Sequence, residues 1–403
     1  MERYLRSEYA GQCSAPPNYC GPSATKGGNT LSIDPVLLAQ ELIKFPSLNP
    51  PGEEKACADF VASLLSSFGF AVQAHEFAPG RPSLVATLPG SSEDKPLCFT
   101  GHLDVVPLGS ARWSHDPFAA EIVEGKLYGR GSSDMKAGVA AFIAAVGPVL
   151  EEDPNLRRGL KLVITAGEET GCEGAFHLAR LNALGDAALL IVAEPTSNQP
   201  IFAHKGSLRI RVSARGRTAH SSMPNDGDNA IERICQWIGL LRDHDLGPPH
   251  ALLGPATMAV TLIEGGQNIN SIPDFAQFAA DFRTLPGQSH ERIVHDLQHL
   301  FGNKAEIAVL TDFSGFSTDP DESMAKPLLQ ILKSRTGRDP SIGGAPYFTD
   351  ASALVPGFRN VPTVVIGPGE AAQCHKTDEF CFVQNIRDAC GIYADLVRKL
   401  CRS

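Results

Sequence analysis

Cys98-Phe99-Thr100-Gly101-His102-Leu103-Asp104-Val105-Val106-Pro107 decides how the chain is read. Its apolar run, closed by a proline, predicts a buried strand. At the carboxyl end stand His102 and, two residues on, Asp104. Residues i and i+2 of an extended chain share a face, so the two side chains project together. The pair fits two situations equally well: a polar histidine satisfied at a strand end, or a metal-ligating imidazole steered by a carboxylate. Only the rest of the chain separates them.

Three later segments repeat the arrangement. Residues 160–165 predict a strand ending in Ala166-Gly167-Glu168-Glu169, and residues 188–192 one ending in Ala193-Glu194-Pro195-Thr196. Residues 363–366 predict a third, followed by Gly367-Pro368-Gly369 and then His375. Between them, the turn-rich run from Gly125 to Lys136 leads into a helix over 137–150. Asp134 stands near the amino end of that helix, where a simple cap is the plainest role. Near-continuous apolar strands with helices between them predict a parallel sheet covered on both faces. In such sheets the site lies beyond the carboxyl ends of the strands. Each polar residue alone is an ordinary loop residue; together they converge on one sheet edge.

The remaining segments set the organisation. Residues 1–30, rich in Gly, Pro, Ser and Asn, predict a loose extension. Ser32 and Asp34 before Pro35 mark a helix start, with Pro50-Pro51-Gly52 as its end. Cys57, Phe60, Val61, Leu64 and Leu65 follow at helical spacing, and strands are expected over 71–77 and 83–87. From 204 to 314 the rhythm changes. Strands over 208–214, 257–263, 276–282 and 306–310, with helices over 230–241 and 291–300, give the order βαββαβ of a split-βαβ sandwich. The expected division is a catalytic part over 31–203, an inserted domain over 204–314 and a second catalytic part over 315–403. That last part resumes with residues 327–333, a Gly343-Gly344 turn and the last strand. The fold class is therefore α/β, a mostly parallel sheet under helices, interrupted by a small ferredoxin-like unit.

Composition narrows the function. The 403 residues suit two or three domains, and 20% charged with 43% hydrophobic residues is ordinary for a globular enzyme. A net charge of -10 offers no basic face for nucleic acid. No apolar run reaches membrane-spanning length, so no membrane partner is expected. The amino terminus lacks the apolar core of a secretion signal, which points to the cytoplasm. The ten cysteines are scattered without a Cys-x-x-Cys, as expected of buried thiols rather than a disulfide framework. Cys374-His375 suggests a nucleophile pair, but neighbouring side chains of an extended segment diverge.

Taken together and in order, the motifs resemble the zinc-dependent family of acetylornithine deacetylase, succinyl-diaminopimelate desuccinylase, aminoacylase and glutamate carboxypeptidase. The resemblance runs over residues 32–400. It rests on 101–107, on Leu127-Tyr128-Gly129-Arg130-Gly131 with Asp134-Met135-Lys136, on Gly167-Glu168-Glu169 and on Glu194-Pro195-Thr196. Gly216-Arg217-Thr218-Ala219-His220-Ser221-Ser222 and Gly367-Pro368-Gly369 with His375 complete it. The resemblance implies two divalent metal ions, zinc first, with cobalt or manganese as alternatives. Asp134 would bridge them, His102 and Glu194 would complete one site, and Glu169 and His375 the other. The peptide after Asp134 is expected to be cis. Glu168 maps to the general base and Asp104 to the partner of His102. His220 maps to a histidine that reaches the oxyanion from the second subunit of a homodimer built through the inserted domain. Arg283 and Asn270 map to substrate-binding positions.

The resemblance further implies hydrolysis of the amide of an N-acyl amino acid. The loop from Gly367 and the run Lys376-Thr377-Asp378-Glu379-Phe380 lean towards acetylornithine deacetylase and hence arginine biosynthesis. Succinyl-diaminopimelate desuccinylase and a dipeptidase or carboxypeptidase are the alternatives. A non-catalytic ligand-binding relative is a further reading, disfavoured because every mapped ligand and Glu168 is present. Two departures stand out. Gly167 replaces an acid carried by several relatives, and the turn over 343–350 matches only loosely.

Overall fold

The computed structural model describes residues 31–402; the extension expected over 1–30 lies outside them. Its centre is a nine-stranded sheet. From one edge the strands run Ala71–Ala78, Arg81–Leu88, Leu160–Thr165, Leu97–His102, Leu189–Val192, Thr363–Val365, Ile201–His204 and Phe316–Ser317, with Gly343–Ala345 also beside Ile201–His204. The four strands expected to carry the polar residues lie side by side and parallel. The first two strands join antiparallel, which makes that edge mixed rather than purely parallel.

The four central strands are buried on both faces because alternate residues enter different cores. Leu97, Phe99, Leu160, Leu162, Ile164, Leu189 and Ile191 face one apolar layer, where Lys136–Glu152 and Val383–Cys401 pack. Cys98, Val163, Leu190, Val192 and Val365 face the other, against Glu173–Arg180 and Ala351–Gly357. The helix Lys136–Glu152 is built from small apolar residues and lies almost wholly buried beneath the sheet. Phe99 anchors the contact, with ring centroids 5.8 Å from Phe142 and 5.4 Å from Tyr393.

A second sheet holds Thr257–Gly265, Phe275–Arg283, Ser207–Arg215 and Ala305–Phe313 in that order, every neighbouring pair antiparallel. Ala230–Arg242 and His290–Phe301 cover one face over Leu208, Ile210, Val212, Phe278 and Phe282. This is the βαββαβ arrangement read from the sequence. The chain leaves the first sheet after His204 and rejoins it at Phe316.

Several local expectations are corrected. The helix from Pro35 stops at Ile43, well before Pro50, although Asp34 caps it as expected by accepting the Val36 N–H. Gly343-Gly344 is not a turn but part of a short parallel strand. The run around 125–128 enters a three-stranded ribbon of Ile122–Val123, Lys126–Tyr128 and Phe380–Phe382. These pieces are two or three residues long, too short to show a period.

Candidate metal centre

The six residues expected at the sheet edge meet there. His102 ends its strand, 1% exposed, with Nε2 3.2 Å from Asp134 Oδ1 and 3.8 Å from Glu194 Oε1. On the other side, His375 Nε2 lies 3.1 Å from Glu169 Oε2 and 3.6 Å from Asp134 Oδ2. Asp134 thus stands between two groups and offers one oxygen to each. The expected capping role is absent: the helix begins at Lys136, and no side chain caps it. The Asp134-Met135 peptide is cis, as the resemblance implied.

Separations of this size suit donors around a shared cation with bonds of about 2.0–2.2 Å. The charge balance points the same way. Asp134, Glu168, Glu169 and Glu194 crowd around two imidazoles, and the buried Oε1 of Glu169 has no hydrogen-bond partner. Burial, then the nearby carboxylates, holds Glu194 well above its ordinary value, and burial followed by Asp134 raises Glu169. Burial works against protonation of His102, yet the Asp134 bond and Glu194 outweigh it and raise its pKa well above normal. An anionic cavity lined by oxygen and imidazole donors fits divalent cations, and the chemistry of the donor set admits zinc, cobalt or manganese.

Glu168 groups with His102 and Glu194, whereas Glu169 groups with His102 and Asp134. Burial, with Glu194 and Asp350 nearby, holds the Glu168 carboxyl well above the usual range despite the pull of His102. A carboxyl so raised holds a proton more readily than an ordinary one, which suits a group that must take up a proton and pass it on. Gly167 before it has φ +78°, and a Cβ there would stand 2.9 Å from Phe77 Cζ and 3.1 Å from Glu173 Oε2. The departure from the acid of the relatives therefore has a local cause. Gly369 is similarly forced: a Cβ would come within 2.1 Å of the Ser133 carbonyl, so the loop before His375 can press against the Asp134 segment.

The expected partnership of Asp104 and His102 takes a different form. His102 Nδ1 meets the main-chain carbonyl of Asp104 at 2.9 Å, while the carboxylate is 3.6 Å away. The structure also adds residues that the sequence reading did not single out. Glu379, fully buried, accepts the N–H groups of Gly131, Ser133 and Asp134 and pairs with Arg130 at 2.6 Å. It holds the turn that carries Asp134. Asp350 lies beside Glu168 and Cys172. Its neighbour Thr349 gave no pattern signal, though the loosely matching turn over 343–350 marked the region.

The remaining candidates stand apart. His220 and Asn270 share a short ribbon, with Ser221 N–H donating to the Asn270 carbonyl at 2.9 Å. His220 is exposed, with Nδ1 2.8 Å from Ser222 Oγ. Arg283 ends its strand in the second sheet and pairs with Asp281 at 3.0 Å. Among the described residues none of these three hydrogen-bonds or ion-pairs with the carboxylate cluster. Burial, then Asp134, pushes the Cys374 thiol up, away from the thiolate that a nucleophile needs. The described cysteines are free thiols. No helix among the described residues is long and apolar enough to cross a membrane.

Residues 98–399 match Peptidase family M20/M25/M40. The chain is 32% identical over 386 residues to a succinyl-diaminopimelate desuccinylase of Rhodospirillum centenum, spanning 92% of the chain and 98% of that protein. A probable succinyl-diaminopimelate desuccinylase of Staphylococcus epidermidis is 29% identical over 399 residues, spanning 91% and 97%. Aminopeptidase PepT of Bacillus cereus shares the fold, with a TM-score of 0.74 at 22% identity over 91% of this chain and 98% of that one. Both curated relatives carry the name that the motifs had placed second, so they do not uphold the lean towards the deacetylase branch. With the match running from the histidine strand to the last helix, the chain belongs to Peptidase family M20/M25/M40 and is a metal-dependent amidohydrolase.

Proposed function

We propose that the protein hydrolyses the amide of an N-acyl amino acid whose acyl group carries its own carboxylate, as in N-succinyl-diaminopimelate. The observation that carries the hydrolytic part is Glu168, a half-buried carboxyl of raised pKa grouped with His102 and Glu194 beside Asp134. The desuccinylase relatives favour the succinyl group over acetyl.

His102, Asp134 and Glu194 would hold one cation, and Asp134, Glu169 and His375 the other. When bound, the ions supply Lewis acidity that polarises the scissile carbonyl and the attacking water. Glu168 takes a proton from that water as the C–O bond forms, then gives it to the amine nitrogen as the C–N bond breaks. The products are a carboxylate and a free amine. His220 would donate to the developing oxyanion, brought by a second copy of the chain. Residues 204–314 would serve as lid and dimer contact, with Asn270 and Arg283 gripping the substrate. The cytoplasm suits the free thiols.

The test is a panel of N-succinyl-diaminopimelate, N-acetylornithine and a dipeptide with zinc-loaded protein. The succinyl substrate is expected to show at least tenfold higher kcat/KM, with activity lost to a chelator and regained with zinc or cobalt. A preference for N-acetylornithine would return the assignment to the deacetylase, and full activity after complete metal removal would end both.

A further inference from the structure

Glu168 and Glu169 sit next to each other on one turn yet serve different purposes, so the position of that turn matters twice. The Asp104 carboxylate lies directly under it, fully buried. Its Oδ1 accepts the N–H of Gly167 at 2.9 Å and of Glu168 at 3.2 Å, and its Oδ2 accepts that of Glu169 at 3.1 Å. Three consecutive amides converging on one anion form a nest, which binds negative charge through backbone dipoles. The carboxylate is thus committed to the turn, and His102 is left to the main-chain carbonyl.

One more donor completes the arrangement. Asn49, 2% exposed, gives its side-chain N–H to Asp104 Oδ2 at 2.8 Å and to Thr170 Oγ1 at 2.9 Å. It therefore bridges the anion beneath the turn and the residue that closes it. Asn49 is itself pinned, its own N–H donating to the Val105 carbonyl at 2.8 Å. Beyond Thr170 the chain of contacts continues: its hydroxyl donates to Glu173 Oε2 at 2.8 Å, Arg81 reaches the same oxygen at 3.1 Å, and Arg81 pairs with buried Glu54.

We propose that Asn49 and the Asp104 carboxylate form a clamp on the Glu168–Glu169 turn, and that Asn49 is a positioning residue for both proton transfer and the second cation. The proposal rests on Glu168 as base and Glu169 as ligand. Asn49 touches neither substrate nor cation; it acts through the turn. Displacement of a reacting group by about 1 Å can cost on the order of a hundredfold in rate, so the loss of one jaw should be visible in turnover.

The test compares Asn49→Ala, Thr170→Val, Thr170→Ser and Glu168→Ala. Thr170 is exposed, so its variants probe the clamp without opening the core. Asn49→Ala and Thr170→Val are expected to lower kcat by roughly tenfold or more with KM within about threefold. Thr170→Ser, which keeps the hydroxyl, should restore kcat to near the parent value. Zinc titration of the metal-free variants should show one site unchanged and the other weakened, since only the site using Glu169 depends on the turn. Parental kcat in both Asn49→Ala and Thr170→Val, or equal losses in Thr170→Ser and Thr170→Val, would overturn the clamp. Glu168→Ala tests the underlying reading separately. It should bind both zinc ions and lose turnover; activity within tenfold of the parent rejects the base, while the zinc titrations still report on the clamp.

Discussion

Asp350 shows how burial, with the Asp104 carboxylate nearby, can make a side chain pH-sensitive. It is 2% exposed, accepts the Thr165 hydroxyl through Oδ2 at 2.5 Å, and its Oδ1 has no partner. Burial pushes its carboxyl up to about 6, against an unfolded value of about 3.9. Between those values the folded chain binds more protons than the unfolded one, so stability falls as pH rises. The contribution is complete below the unfolded value and gone once pH has passed about 6. Asp350→Asn keeps an acceptor for Thr165 and removes the titration. In urea unfolding of the metal-free protein, it is expected to flatten the decline across this window and to exceed the parent in stability above it. A parental slope in the variant would count against the assignment. Asp350, Asn49 and Glu379 escaped the sequence reading because none flanks a long periodic element: Asp350 precedes only the short helix Ala351–Gly357, and Glu379 only the strand Phe380–Phe382. His102, Glu168, Glu169 and Glu194 were legible because each ends or follows an apolar strand, whereas Asp134 and His375 stood out through the motifs around them.

The strands and the buried helix explain why those six could be found. Alternation sends Leu97 and Phe99 to one layer and Cys98 to the other, so burial on both faces is written into a run of apolar residues. The turn after Leu160–Thr165 is less forgiving. Gly167 combines φ +78° with a Cβ position 2.9 Å from Phe77 and 3.2 Å from Arg81 Nη2. Gly167→Ala is expected to cost about 1–3 kcal/mol in chemical unfolding, the usual penalty for a strained backbone position. It should also lower turnover, because the strain falls on the turn bearing Glu168. Unchanged stability and turnover would show that the turn has room to relax. The short ribbon and the Gly343–Ala345 strand were not legible, because two or three residues are too few to distinguish a strand from a turn.

The proposed dimer belongs to the scale of the whole molecule. Thr257–Gly265 is the outer strand of the second sheet, and it exposes Leu262 at 64% and Ile263 at 57%. An exposed apolar edge strand is a ready template for pairing with another chain. Replacing both residues, Leu262→Glu with Ile263→Glu, is expected to give a monomer in light scattering and to abolish turnover while both zinc ions remain bound. A fully active monomer would show that His220 acts within its own chain or not at all.

The sequence by itself determined the α/β class, the βαββαβ insertion and the six side chains at the sheet edge. Those follow from local periodicity, from what ends each period and, for Asp134 and His375, from the motifs around them, all of which neighbouring residues dictate. Tertiary structure decided which groups hold them. Asp104 meets Asn49 across 55 residues and the Glu169 amide across 65, and Glu379 reaches the Asp134 amide across 245. A hydrogen bond acts only over about 3 Å, so such partners have no signature until the chain has folded. The pair His102 and Asp104, adjacent on one strand, was divided by the same rule: the imidazole faces the candidate cation site, while the carboxylate turns to the backbone that carries Glu168 and Glu169.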